Sequence, residues 1–154
     1  MAEFDNVPIT GPWDQYEITS FLDSTLIPMR IAVNSPSGCP IVLSVWFVRE
    51  GGNLLGATRP TSTLVKYLEN CGECGFEIAP DTPPYRGVRG QAKVQLLPSR
   101  GAEVLDTLLI RYLGSNDTKL SARLRINADD EICFQLQPTL LTSWDYQKRM
   151  ASSV

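Results

Sequence analysis

Apolar and polar positions along this chain fall mostly into short runs with the period of strands. The clearest run lies between Tyr85 and Leu97. Val88, Ala92, Val94 and Leu96 share one face there, and Arg89, Gln91, Lys93 and Gln95 share the other, the alternation of a half-buried strand. Arg30 to Asn34, Leu54 to Thr58 and Gly75 to Ala79 predict three more strands, and Ile132, Phe134 and Leu136 alternate with Cys133, Gln135 and Gln137 in a last one. Ile41 to Val48 is nearly continuous in apolar residues, which predicts a strand covered on both sides. Helical spacing appears from Asp14 to Asp23, where Ile18, Phe21 and Leu22 share a face, and from about Gly101 to Leu113, where Val104, Leu105, Leu108, Leu109 and Tyr112 form a stripe ended by Gly114. A short helix is expected through about Asn70, with Pro60 at its first position and Thr58, Thr61 or Ser62 as cap. Asp117 predicts the cap of another, running through Leu124.

Strands that are mostly adjacent, with helices between some of them, predict an α+β fold: a small, mostly antiparallel six-stranded barrel with flanking helices. Internal repeats, low-complexity tracts and charge runs are absent, so residues 1–154 read as one domain. Residues 1–12 read as an irregular N-terminal arm, and the amphipathic stretch from Trp144 to Met150 as a packed C-terminal element.

Composition narrows the chemistry. The chain has no histidine, which excludes Ser-His-Asp and Cys-His triads, histidine-ligated metals and imidazole relays. An enzyme built from it relies on carboxylates, Lys, Tyr or Cys, or on a cofactor. Fourteen Lys and Arg against 17 Asp and Glu give a net charge of −3, with no global attraction for nucleic acid or anionic membrane. Met1 to Asp5 lacks the basic and apolar regions of a secretion signal, no apolar run approaches a membrane span, and the cytoplasm is the expected location. The four cysteines, Cys39, Cys71, Cys74 and Cys133, then read as free thiols. Cys71 and Cys74 form a C-x-x-C, but it follows the predicted helix ending at Asn70, where the dipole disfavours a thiolate. It also lacks a second C-x-x-C for zinc.

Five pieces, taken together in order, carry a resemblance: Met29 to Val33, Pro40 through Trp46 and Phe47, Leu55 to Thr58, Ser62 with Lys66 to Leu68, and Val88 to Ala92. In that order they resemble the pyridoxamine-5'-phosphate oxidase-like split β-barrel family over roughly residues 15–145. The resemblance implies a homodimer that holds FMN between subunits, one barrel supplying most phosphate contacts and its partner covering the ring. Deazaflavin and haem binders belong to the same family. It places the phosphate at Thr58, Arg59, Thr61, Ser62 and Thr63, where hydroxyls, a cation and a helix start converge. Capping alone also accounts for Thr and Ser there, with Arg59 left to solvent. The ring would lie against the backbone of Ser44, Val45 and Trp46, although Trp46 reads equally as a core residue.

Many flavin-binding members carry a lysine two residues after the serine of this helix start. Here that position is Leu64, so Arg59 or Lys66 substitutes, or FMN has been lost or replaced by another ligand. Arg86 and Arg89 can reach across a dimer interface, or form an edge ion pair. Trp144 is placed to cover the site or to anchor the C-terminus. No catalytic residue is assigned and no metal site is expected. The implied function is an FMN-dependent oxidoreductase of unidentified substrate and electron donor. The alternative is a non-catalytic dimeric binding or sensory module holding deazaflavin, haem or no cofactor.

Overall fold

The first helix starts where a cap is available. Asp14 accepts from the N–H of Glu17 at 2.9 Å, and Glu17 returns the bond to the N–H of Asp14 at 2.8 Å, a reciprocal capping box. The computed structural model describes residues 4–151. Among these, α1 (Gln15–Ser24) is followed by β2 (Met29–Asn34), β3 (Pro40–Val45), β4 (Val48–Glu50) and β5 (Asn53–Thr58). Then come α2 (Thr63–Asn70), β6 (Glu73–Ile78), β7 (Arg86–Leu97), α3 (Gly101–Leu113), α4 (Lys119–Leu124), β8 (Ile132–Asp145) and α5 (Gln147–Met150). A two-residue strand, β1 (Ile9–Thr10), precedes α1 and pairs in parallel with Leu141 and Thr142 of β8.

Among the described residues eight strands form one sheet, seven of them antiparallel in the order β3-β2-β6-β7-β8-β5-β4, with β1 off this path and parallel to β8. The fold is α+β and mostly antiparallel, as the periodicity predicts, but with eight strands in place of six. One extra strand lies in the arm read as irregular, where Phe4 is also buried. The other arises because the run from Ile41 to Val48 breaks at Trp46 and Phe47 into β3 and β4.

That break shapes the molecule. β3 and β4 are the two ends of the strand order, yet only Trp46 and Phe47 separate them in sequence. Three peptide steps span at most about 11 Å, so the sheet must curl until its edges meet. No ladder joins β3 to β4, and the barrel is left unclosed along that seam. Phe47 points into the main core with Leu54, Phe134 and Leu136, while Trp46 packs outward with Leu55, Val104, Leu108 and Cys133 beneath α3.

The strand covered on both sides is therefore β5, not β3. Leu54 faces the barrel interior and Leu55 faces α3, both with no exposed surface. On β3 the alternate face is open, and Val42 is 65% exposed. An apolar run reports strand propensity there without reporting burial.

β8 is also longer than its alternation suggests, because Pro138 does not stop it. The β7–β8 register shifts between Gln91 and Ala92, leaving Thr139 as the extra residue beside the proline, with its hydroxyl donating to the Gln91 carbonyl at 3.2 Å. A bulge is where a residue lacking N–H fits a ladder. Two helix starts also shift, those of α2 and α4. α2 begins at Thr63 with Ser62 as cap, so Pro60 lies in the preceding turn. α4 is capped by Thr118 and Ser121 rather than Asp117. α3 opens at Gly101 after a 3-10 turn over Pro98–Arg100. Gly114 ends α3 at φ 75°, as expected of a left-handed stop. No helix among the described residues is long and apolar enough to cross a membrane.

Candidate functional site

A cavity of about 510 Å³ opens beside the unclosed seam, within the size range of small-molecule sites. One wall is the end of β3, Ser44 and Val45, continued by Trp46. Among the described residues β3 is hydrogen-bonded only to β2, so the other edge of its backbone is left free of a strand partner there. The floor comes from the end of β5, with Ala57, Thr58 and Arg59. Leu105 and Leu108 of α3 and Leu120 and Leu124 of α4 form an apolar wall opposite, and Glu131 completes the lining.

Trp46 is fixed in that wall by Tyr112. The two rings stack with centroids 4.9 Å apart and planes 4° from parallel. The Tyr112 hydroxyl accepts from the N–H of Phe47 at 3.2 Å and donates to the Ile27 carbonyl at 3.1 Å. Both residues of the seam linker are thus tied to α3. Trp46 serves as core residue and as pocket wall at once.

The β5–β8 register sets the charged end of the site. Thr58 pairs with Ile132, and the next residue on one side, Arg59, and the preceding one on the other, Glu131, line the same cavity. Gly101, the first residue of α3, packs against the Glu131 backbone so closely that a Cβ there would lie 1.7 Å from its carbonyl oxygen. Only glycine fits at that position. Glu131 is buried, and burial pushes its carboxyl above the ordinary 4.5, against the opposing pull of Arg59. The acidic cluster of Asp129, Asp130 and Glu131 is, in sequence, a solvated turn. In the fold, Asp129 and Asp130 are exposed and Glu131 is not. Its parity with the buried Cys133 is the signal that distinguishes it.

Five of the residues singled out from sequence share this cavity: Ser44, Val45, Trp46, Thr58 and Arg59. Ser62 is committed as the α2 cap, its hydroxyl accepting from the N–H of Val65 at 3.2 Å. Thr61, Thr63 and Lys66 are exposed around the start of α2 and do not line the cavity. Leu64 is buried in the main core, so the backbone turns that side chain away from any ligand. Arg86 and Trp144 lie at the far end of the β7–β8 ladder, near the Arg86–Asp145 pair, whereas the end nearest Glu131 is the Leu97–Cys133 pair. Arg89 stacks over Trp144 at 5.1 Å and lines a separate groove on the outer face of the sheet with Arg30, Val42 and Glu77. Within one chain these three do not join the cavity.

The cysteines are not drawn together either, and all four are free. Cys71 follows α2 as its C-cap residue. Burial pushes the Cys74 thiol up to about 12 and that of Cys133, for the same leading reason, to about 11, values at which the nucleophilic thiolate is scarce.

No family model matches the chain, and no curated protein matches it in sequence. Solved structures do. A conserved hypothetical protein of Mycobacterium tuberculosis superposes with a TM-score of 0.78 at 18% identity, covering 97% of this chain and 93% of its own. An F420 reductase matches with a TM-score of 0.68 at 19% identity, over 79% of this chain and 93% of its own. A protein of Listeria innocua described as a candidate pyridoxamine 5'-phosphate oxidase matches with a TM-score of 0.64 at 9% identity, over 83% and 95% respectively. The chain therefore has the fold of the pyridoxamine 5'-phosphate oxidase-like proteins. At these identities the likeness is one of fold.

Proposed function

We propose that the seam cavity binds a flavin-type cofactor, FMN in the first instance, and that the protein is a flavin-dependent oxidoreductase. The observation that carries this reading is the convergence on one cavity of a free strand edge, a guanidinium with a neighbouring hydroxyl, and a leucine wall. Those are the groups that a ring with a polar edge and an anionic tail requires. Ser44 to Trp46 offers backbone N–H and C=O groups to the ring edge. Arg59 takes the phosphate as a planar fork, with the Thr58 hydroxyl beside it. The bound flavin supplies the redox chemistry, which suits a chain without histidine. The fold shared with the F420 reductase and the candidate pyridoxamine 5'-phosphate oxidase supports the same reading.

The working unit in this proposal is a homodimer. The outer face of β3, β2, β6 and β7 carries the exposed Val42, a shallow groove over Ala32 and Gly75, and a cross-strand row of Arg30, Glu77 and Arg89. A second copy on that face covers Val42 and brings Arg86, Arg89 and Trp144 towards its neighbour's cavity.

Leu64 favours a second reading. With Leu64 turned into the core and no cation offered from that position, the cavity suits a binding or sensory module holding a deazaflavin, haem or no cofactor. The visible absorbance of freshly purified protein, followed by thermal melting with added FMN, separates the two. Oxidised-flavin bands, or a stabilisation of about 2.7 kcal/mol at a hundredfold excess over Kd, support the first. A colourless protein whose melting ignores FMN supports the second.

A further inference from the structure

Among the described residues, two charged ones line the cavity, one of each sign. Arg59 and Glu131 both line it, next to the last β5–β8 pair, Thr58 and Ile132, and the charge of Arg59 acts on the Glu131 carboxyl. Among the described residues, the remaining lining brings no titratable group to Glu131: Ser44, Val45 and Trp46 from the β3 edge, Ala57 and Thr58 from β5, and two leucines each from α3 and α4. On its own turn, Asp129 and Asp130 are exposed. With Glu131 ionised the pocket is formally neutral, and an incoming phosphate meets a carboxylate beside its guanidinium. With Glu131 protonated the pocket carries one positive charge, and the carboxyl O–H can donate to the anion.

We propose that an anion held at Arg59 is bound together with a proton on Glu131, so that the pocket takes up one proton from solvent when a phosphate-bearing ligand enters. This rests on the assignment of the seam cavity as the cofactor site and adds the class of ligand it selects: a ring whose tail is anionic, held more tightly as the solution becomes more acid. The rise in the carboxyl's proton affinity caused by burial acts in the same direction.

The test is calorimetric titration with FMN and with riboflavin, the same ring without phosphate, in buffers of different ionisation heat. Wild type and Glu131→Gln are compared from acid to neutral pH. The phosphate's own ionisation, with a pKa of about 6, is common to both proteins and cancels in their difference. The wild type should take up a proton with FMN that the Gln variant does not. Its FMN affinity relative to the variant's should fall, approaching tenfold per pH unit above the Glu131 midpoint, while riboflavin shows no such difference. Equal proton uptake and equal pH profiles in the two proteins overturn the proposal.

A second measurement, the carboxyl carbon shift of Glu131 against pH, uses inorganic phosphate and Arg59→Met. If FMN does not bind but phosphate raises the Glu131 midpoint, the flavin reading fails and the proton-coupled anion site stands. A midpoint moved by neither FMN nor phosphate, or unchanged in Arg59→Met, overturns it.

Discussion

Replacing Arg111 by alanine should destabilise the fold by about 3–4 kcal/mol, more than any surface charge would. Arg111 stands in the last turn of α3 but serves the end of α1. That helix has no basic residue in its own last turn, and its final carbonyls need donors. The Arg111 guanidinium supplies them, donating to the carbonyls of Leu22 at 2.8 Å, Asp23 at 3.0 Å and Thr25 at 2.7 Å. Its plane also lies over Phe47 at 5.1 Å and Tyr112 at 5.6 Å. A hydrogen bond to a charged group contributes about 1.5–3 kcal/mol. Three on a partly solvated rim, sharing one side chain, give about 3 kcal/mol together, and the ring contacts add about 0.5–1 kcal/mol. Urea unfolding of Arg111→Ala, Arg111→Met and Arg111→Lys measures this. The methionine restores apolar stem contacts only, so it should recover little. The lysine keeps the charge but not the fork, and should recover less than half. A loss below about 1 kcal/mol in Arg111→Ala would refute the bridging role.

Other consequences follow from the same geometry. Because burial raises the Glu131 pKa, the folded state holds that proton more tightly than the unfolded one. Its contribution is whole below 4.5 and is lost as pH rises through the folded value. Urea midpoints of wild type relative to Glu131→Gln should therefore fall as pH rises through that window. Glu50, held below 4.5 by Arg100, has the opposite sign: its contribution is present above 4.5 and fades as pH falls through the lowered value. Thiol labelling of the native protein should modify Cys39 first, Cys71 more slowly, and leave Cys74 and Cys133 protected until urea unfolds the chain. Gly101→Ala should cost about 1–3 kcal/mol by overpacking against the Glu131 carbonyl. That loss should exceed the helix-propensity gain of roughly 1 kcal/mol, so a stabilised variant would contradict the packing.

The elements most legible in the sequence are those whose own residues settle their environment. The alternation of β7 survives because its polar face is the open side of the sheet, and α1 starts at Asp14 because the capping box is local. β3 is harder, since Val42 and Leu43 have the same strand preference whether a neighbour covers them or not. Only the strand order, a non-local property, makes β3 an edge. The break at Trp46 and Phe47 is hidden for a related reason: both are good strand residues, and what parts them is that one packs inward and the other under α3. Pro138 ends a strand by local rules, but the bulge beside it is made jointly with β7. At the site, Thr58 and Arg59 announce themselves as a polar cluster after an apolar strand. Glu131 does not, because its neighbours Asp129 and Asp130 make it look solvated.

The claim on which the rest depends is that Arg59 holds the anionic tail of a ring ligand in the seam cavity. Titration of flavin fluorescence with wild-type protein and with Arg59→Met tests it most directly. Saturable binding of one FMN per chain, weakened at least about tenfold by Arg59→Met through loss of a charge-assisted pair, is the predicted result. Equal FMN affinity in both proteins, or no saturable binding to the wild type, would contradict it.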